Sequence, residues 1–168
     1  PPYMGSQKMN ANLSKFATKN YQDSKSDLFA MFLERALNMN IKGGIMAMIT
    51  MQSWMFSSTY EKLRYKISSN FTLLSMAHIG TKGFDSIGGE VVSTTAFIIQ
   101  NEYINNYKGI YLRLIEGKSE LEKSNLMKEV INNKGSNYLF KQSLNTFKII
   151  PGSPIAYFAS DKIKKLFN

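Results

Sequence analysis

Cysteine is absent and histidine occurs once, as His78. Without thiols there is no disulfide framework and no cysteine nucleophile. One histidine and no cysteine leave a zinc site without a ligand set, and the acidic residues form no paired-carboxylate arrangement, so no metal is expected. His78 lies in an apolar run and reads as a core or edge residue rather than a catalytic base. No apolar run approaches the roughly 20 residues that span a bilayer. No signal-peptide pattern opens the chain, so no membrane association is expected and the composition fits the cytoplasm. Proline is scarce, with two of the four residues at Pro1-Pro2 and two at Pro151 and Pro154. No methionine precedes Pro1, and the chain reads as a piece of something longer.

What is present is enough for one domain with a core: 168 residues, 43% of them hydrophobic. Lys and Arg number 21 against 12 Asp and Glu, a net charge of +9 that suits a polyanionic partner, nucleic acid first. The chain is organised around Gly43 to Phe56 (GGIMAMITMQSWMF). Ile45 to Met51 is uncharged and does not alternate, which predicts a strand buried on both faces, as in a parallel sheet. Gly43-Gly44 marks the turn before it. In an open α/β sheet the carboxyl ends of the strands face the ligand crevice, so Met51 to Trp54 is expected at the rim of a site.

Residues 1–9 read as a loop and Asn10 to Asn20 as a short helix. Ser26 or Asp27 caps a helix over 27–40 with Leu28, Phe32, Leu33, Ala36 and Leu37 on its apolar face. Ser58-Thr59-Tyr60-Glu61 has capping-box spacing and opens a helix to about Ile67. Strands are expected at 71–79, 90–100 and 109–115, with a glycine-rich loop over 80–89. A charged helix spans 118–133, 138–150 contains a short strand or turn, Pro151 to Pro154 turns, and Ser160 caps a last basic helix. The order helix, strand, helix, strand, loop, strand is half of a doubly wound α/β sheet ending in a hairpin.

Pro1-Pro2-Tyr3, then SDLFAMFLERAL, KGGIMAMITMQSWMF, YEKLR, a strand, a Gly-rich loop and VVSTTAFII together resemble the amino-group DNA methyltransferases of the N6-adenine type. There an Asn-Pro-Pro-Tyr motif ends the fourth strand. The likeness covers about residues 1–100. Residues 71–115 and IPGSPIAYF at 150–158 more narrowly resemble the PglX-like methyltransferases of BREX-type phage defence and related methyltransferases fused to restriction activities. The fold so implied is the C-terminal half of a Rossmann-like methyltransferase sheet, with a mixed edge hairpin and C-terminal helices. The resemblance divides the chain into 1–116, part of the catalytic domain, and 117–168, a helical extension towards a downstream region. The Asn or Asp before Pro-Pro-Tyr is not in the sequence, and no FxGxG-like loop for S-adenosylmethionine occurs in it. The expected partners are therefore double-stranded DNA, the N-terminal half of the same domain, and other defence-system subunits.

Adenine N6 is a poor nucleophile because its lone pair is delocalised into the ring. Acceptors around the amino group draw it towards a tetrahedral shape, and in the family these are the Asn or Asp side chain and the first proline's carbonyl. Here that carbonyl is the one on Pro1, and Pro2 continues the bend. Transfer is then a direct displacement between aligned atoms. The base must first leave the duplex, at a cost of a few kcal/mol, and stacking on an aromatic ring returns about 1–3 kcal/mol. The resemblance gives that ring to Tyr3. It gives the opposite wall to the strand matched by 93–100, either Ile99, which aligns with the family's aromatic, or Phe97, the aromatic available. Trp54 suits either the border of this pocket or a seal beneath the following helix. Phe32 is implied to touch the cofactor's adenine. Lys8, Lys15, Lys19 and Lys25 suit phosphates near the extruded base, or a plain solvated face. Set against the enzyme reading are a non-catalytic DNA- or partner-binding module and an RNA or protein methyltransferase of the same class. A piece of this kind is expected to be inactive alone.

Overall fold

A computed structural model describes residues 1–85 and 92–167. Helix α1 (Ala11–Asn20) starts where the Asn10 side chain accepts from the Leu13 N–H at 2.9 Å. Helix α2 (Leu28–Met39) is capped by Asp27, whose carboxylate accepts from the Phe29 N–H. Strand β1 (Ile45–Met51) follows, then two short 3-10 turns and helix α3 (Glu61–Asn70). Strands β2 (Thr72–Gly80), β3 (Thr94–Gln100) and β4 (Lys108–Arg113) precede helix α4 (Glu120–Asn132), strand β5 (Leu139–Ser143) and a short helix α5 (Asp161–Lys164).

The five strands form one mixed sheet in the order β1-β3-β2-β4-β5. β3 is antiparallel to both β1 and β2, β4 is parallel to β2, and β5 is antiparallel to β4. Consequently β1, β2 and β4 point the same way, and their carboxyl ends share one side of the molecule. β2 and β3 pair as neighbours, as a hairpin requires, and the antiparallel β4–β5 pair forms the mixed edge. Residues 86–91, part of the expected Gly-rich loop and the start of the expected 90–100 strand, lie outside the described residues.

β1 departs from the expected central, doubly buried strand. It stands at the edge of the sheet and alternates: Met46 and Thr50 are buried, whereas Ile45 and Ile49 are 62% and 45% exposed. Its continuous apolar run therefore serves two faces of which one is bare. Ile98 on the neighbouring strand β3 is also exposed. With Ala47, Ile49, Ala77, Ala96 and Leu112 it lines an open apolar trough, flanked by Met127 of α4. β1 also has no partner on its outer side among the described residues.

The other face carries the core. Phe29, Leu33 and Leu37 of α2 and Leu63 and Ile67 of α3 cover Leu73, Met76, Phe97 and Ile99 of the sheet. The apolar face of α2 is thus rotated from the expected one: Leu33 and Leu37 are buried, but Phe32 faces out at 47% exposure, and Phe29 and Ala30 take its place. Buried polar bonds set this rotation. The Glu34 carboxylate accepts from Ser24 Oγ at 2.6 Å and pairs with Lys66 of α3 at 3.0 Å. The expected Ser58–Glu61 capping box does not form. Ser57 caps a 3-10 turn instead, accepting from the Thr59 N–H, and α3 begins only at Glu61.

The stretch 117–168, expected as a helical extension, also supplies β5 to the sheet and Phe147, Ile155 and Tyr157 to the core. Gly109 makes the close approach of β4 possible, since a Cβ there would strike the Leu73 carbonyl. Arg64, 1% exposed, fastens the late segment to the turn after β1. Its guanidinium donates to the carbonyls of Trp54 (3.0 Å), Ser57 (2.6 Å), Gly152 (2.6 Å) and Ser153 (3.1 Å). Gly152 and Ser153 meet it with φ of 78° and 46°, a left-handed pair that turns both carbonyls inward.

Arg64→Ala should cost roughly 3 kcal/mol or more, because it strands four carbonyls that lose a charged donor. Arg64→Lys should recover little, since an ammonium lacks the planar fork. Denaturant unfolding of the two variants, with amide exchange of residues 150–157, measures both.

Candidate active site at the carboxyl ends of the strands

The opening segment is bound to the start of α2. The Met4 N–H donates to Asp27 Oδ1 at 3.0 Å, the Leu28 N–H to the Met4 carbonyl at 3.1 Å, and the Ser6 N–H to the Ser26 carbonyl at 2.9 Å. Pro1 and Pro2 are exposed. The Tyr3 ring is 40% exposed and meets Phe29 edge-on at 6.2 Å. Phe29 meets Tyr60 at 5.7 Å, and Tyr60 lies on the connection leaving the carboxyl end of β1. Burial first and Asp27 second raise the phenol pKa of both tyrosines, that of Tyr60 to about 12, so both stay neutral hydroxyls.

The other expected site residues separate into two groups. Trp54, Phe97 and Ile99 are all 2% exposed or less, and Trp54 packs on Phe97 at 5.0 Å. Phe97 and Ile99 do share a face, but it is the face that α2 and α3 cover. Both belong to the buried core beneath α2 and α3, because β3 is an interior strand. Phe32, in contrast, is open. With Leu13, Phe16, Tyr21, Leu28, Met31 and Arg35 it lines a groove of about 240 Å³ between α1 and α2. Lys8, Lys15, Lys19 and Lys25 are exposed on α1 and the loops beside it.

The tips of β1 and β2 hold a polar cluster that sequence reasoning passed over. His78, 5% exposed, meets the Tyr157 hydroxyl through Nδ1 at 2.7 Å and Gln52 Oε1 through Nε2 at 2.6 Å. Tyr157 stacks on Tyr111 with ring centroids 5.2 Å apart. Phe56 packs on His78 and on Phe158, and the Arg113 guanidinium sits over Phe158. Lys123 of α4, 4% exposed, donates to the carbonyls of Ile79 and Leu114 and so ties the ends of β2 and β4 together. Phe84, half-buried, stands on the loop after β2, where Asp85 and Glu120 exchange hydrogen bonds at 3.0 and 3.2 Å. The signals for these residues were an aromatic within a Gly-rich loop and Tyr157 within IPGSPIAYF. Among the described residues no cluster of metal-binding side chains forms, and no helix is long and apolar enough to cross a membrane.

This strand polarity, with helices on the core face and a proline-tyrosine bend beside the strand tips, defines part of a Rossmann-like methyltransferase sheet. Solved structures agree on the fold. The type IIG restriction endonuclease BpuSI superposes on 95% of this chain and 20% of its own, with a TM-score of 0.64 at 15% identity. A modification subunit of a putative type I restriction enzyme from Vibrio vulnificus YJ016 covers 74% of this chain and 29% of its own, with a TM-score of 0.57 at 13% identity. Residues 1–84 match the Eco57I restriction-modification methylase model, and the chain belongs to that family. Two curated relatives are far more similar in sequence. The adenine-specific methyltransferase PglX of Lacticaseibacillus casei (strain Zhang) is 46% identical over 96% of this chain. The adenine-specific methyltransferase BrxX of Escherichia coli O9:H4 (strain HS) is 47% identical over 95% of it. The chain spans about 13% of the length of each.

Burial, followed by the nearby Arg113 and Lys123 charges, lowers the His78 pKa from 6.5 to about 4. The fold therefore favours the neutral ring. Its contribution is intact above pH 6.5 and is lost as pH falls towards 4, where the unfolded chain holds a proton that the folded chain does not. The loss amounts to about 3 kcal/mol. Denaturant titrations at successive pH values should show a slope for His78→Asn that is shallower than wild type by about one proton across that interval.

Proposed function

We propose that this chain is the base-gripping part of an adenine-N6 DNA methyltransferase of a restriction-modification or phage-defence system. The observation that carries this reading is the Pro1-Pro2-Tyr3 segment, anchored to the start of α2 through the Met4 and Ser6 backbone that follows it, with its tyrosine ring partly open. Tyr3 supplies one stacking face for an extruded adenine, and Phe29, itself packed on Tyr60, braces that ring edge-on. Pro1 presents a carbonyl to the exocyclic amino group, and no backbone N–H among the described residues competes for it. Phe84 is the better candidate for the opposite wall, since Phe97 and Ile99 are covered. The exposed Lys8, Lys15, Lys19 and Lys25 and the net charge of +9 suit the phosphate backbone.

S-adenosylmethionine would supply the electrophilic methyl group. The residues present suit part of it: Phe32, with Phe16 and Tyr21 in the same groove, offers aromatic faces to its purine. The groove's charged member is Arg35, so the cationic end of the cofactor needs carboxylates from outside this groove. The edge of β1, unpaired among the described residues, and the bare trough beside it fit the remainder of the catalytic domain.

Tyr3→Ala in the full-length protein should raise the KM for DNA and lower kcat/KM roughly tenfold to a hundredfold by removing one stacking face, with cofactor binding unchanged. Methyl transfer to duplex DNA alongside cofactor titration tests this. Labelling confined to RNA or protein would refute the DNA reading. In the full-length protein the outward amides of β1 should exchange as slowly as those of β3, because a further strand pairs there. Fast exchange along β1 alone would show an open edge.

A further inference from the structure

The cluster at the tips of β1 and β2 has a definite polarity. Tyr157 Oη has His78 as its only hydrogen-bond partner among the described residues, so its proton goes to His78 Nδ1. A neutral ring then carries its own proton on Nε2 and donates it to Gln52 Oε1. That fixes the amide of Gln52: the oxygen faces His78 and the nitrogen must face away. The nitrogen makes no hydrogen bond to any described residue. Gln52 is half-buried, at the margin of the cluster. Gln52 itself is held, because its backbone N–H donates to the Ser93 carbonyl at 2.8 Å. Phe56 packs on His78 and fixes the ring plane. The chain has thus aligned two N–H donors at the carboxyl end of β1 that no described residue uses.

We infer that Gln52 is a base-reading residue, whose amide nitrogen donates to a ring nitrogen of the extruded adenine while Tyr157 and His78 act as positioning residues behind it. The inference rests on the proposed methyltransferase reading. Adenine presents ring nitrogens that accept, whereas guanine carries a proton on the one beside its six-position substituent. A donor locked against reversal therefore favours adenine and disfavours guanine on that edge. A free glutamine could rotate its amide to suit either base, and the His78 contact removes that freedom. Its pKa near 4 keeps the ring neutral, and so keeps this polarity, throughout the neutral range.

The test uses the full-length protein on a duplex carrying its own modified site, located first by sequencing methylated DNA. The target adenine is replaced in turn by 1-deaza-, 3-deaza- and 7-deazaadenine, each lacking one ring nitrogen. Wild type should lose roughly tenfold in kcat/KM on one of the three. Gln52→Leu should lose a similar factor on adenine and nothing further on that same analogue. Gln52→Glu keeps the acceptor for His78 but offers no donor, and should be at least as poor as Gln52→Leu. Tyr157→Phe should show a partial loss coupled to the same analogue, which a merely structural role would not produce. Base extrusion, followed by 2-aminopurine fluorescence at the target, should persist in all variants. If Gln52→Leu matches wild type, or loses equally on adenine and on all three analogues, Gln52 does not read the base. If wild type methylates no DNA adenine, the parent reading fails and this one with it.

Discussion

Four carbonyls converge on the Arg64 guanidinium, two from the turn after β1 and two from the left-handed bend at 152–153. This knot joins parts of the chain nearly ninety positions apart. It is buried, and a charge is buried only where its donors are fully used. Because of it, the segment 155–158 lies across the strand tips, with the Ile155 N–H bonded to the Met55 carbonyl. Tyr157 can then reach His78, and Phe158 can cover Phe56. The aromatic and polar side of the site thus depends on one side chain of α3 that touches none of the chemistry.

Strand polarity does the rest. With β3 running against its two neighbours, β1 and β2 both end on the same side. The bend at Pro1-Pro2-Tyr3 reaches that side through Phe29 and Tyr60. Two aromatic sets therefore border the strand ends: Tyr3, Phe29 and Tyr60 beyond β1, and Phe56, Phe84, Tyr157 and Phe158 around β2. Between the two functions of an aromatic ring, filling a core and offering a face to a ligand, burial decides. Trp54 and Phe97 are committed to the first, while Tyr3 and Phe32 remain available for the second.

The elements were largely legible in the sequence. The start of α2 was legible as a cap at Ser26 or Asp27, because a side-chain acceptor before an apolar-periodic run satisfies free N–H groups, and Asp27 is the one that accepts; the short helix over 10–20 was legible without its Asn10 cap. The four-residue turn at 151–154 was legible from its prolines and glycine. Ile45 to Met51 was recognisable as a strand, but its position was misread, since an unbroken apolar run looks the same whether a face is buried or merely bare. The α2 face was misread for a different reason. Phe32 fits the helical stripe as well as Phe29 does, and only the Glu34 bonds to Ser24 and Lys66 chose between them.

The sequence by itself determined the composition limits, the order and type of the elements, and the likeness carried by Pro1-Pro2-Tyr3 and the runs after it. These depend on local periodicity, capping and backbone freedom, which act over a few residues. Only the tertiary structure decided that Phe97 and Ile99 lie beneath the surface, that His78 is neutral between Tyr157 and Gln52, and that the Gln52 amide has one orientation. Each of these is set by groups from distant parts of the chain meeting in a buried space, where a polar atom must find its partner in the fold and water cannot stand in.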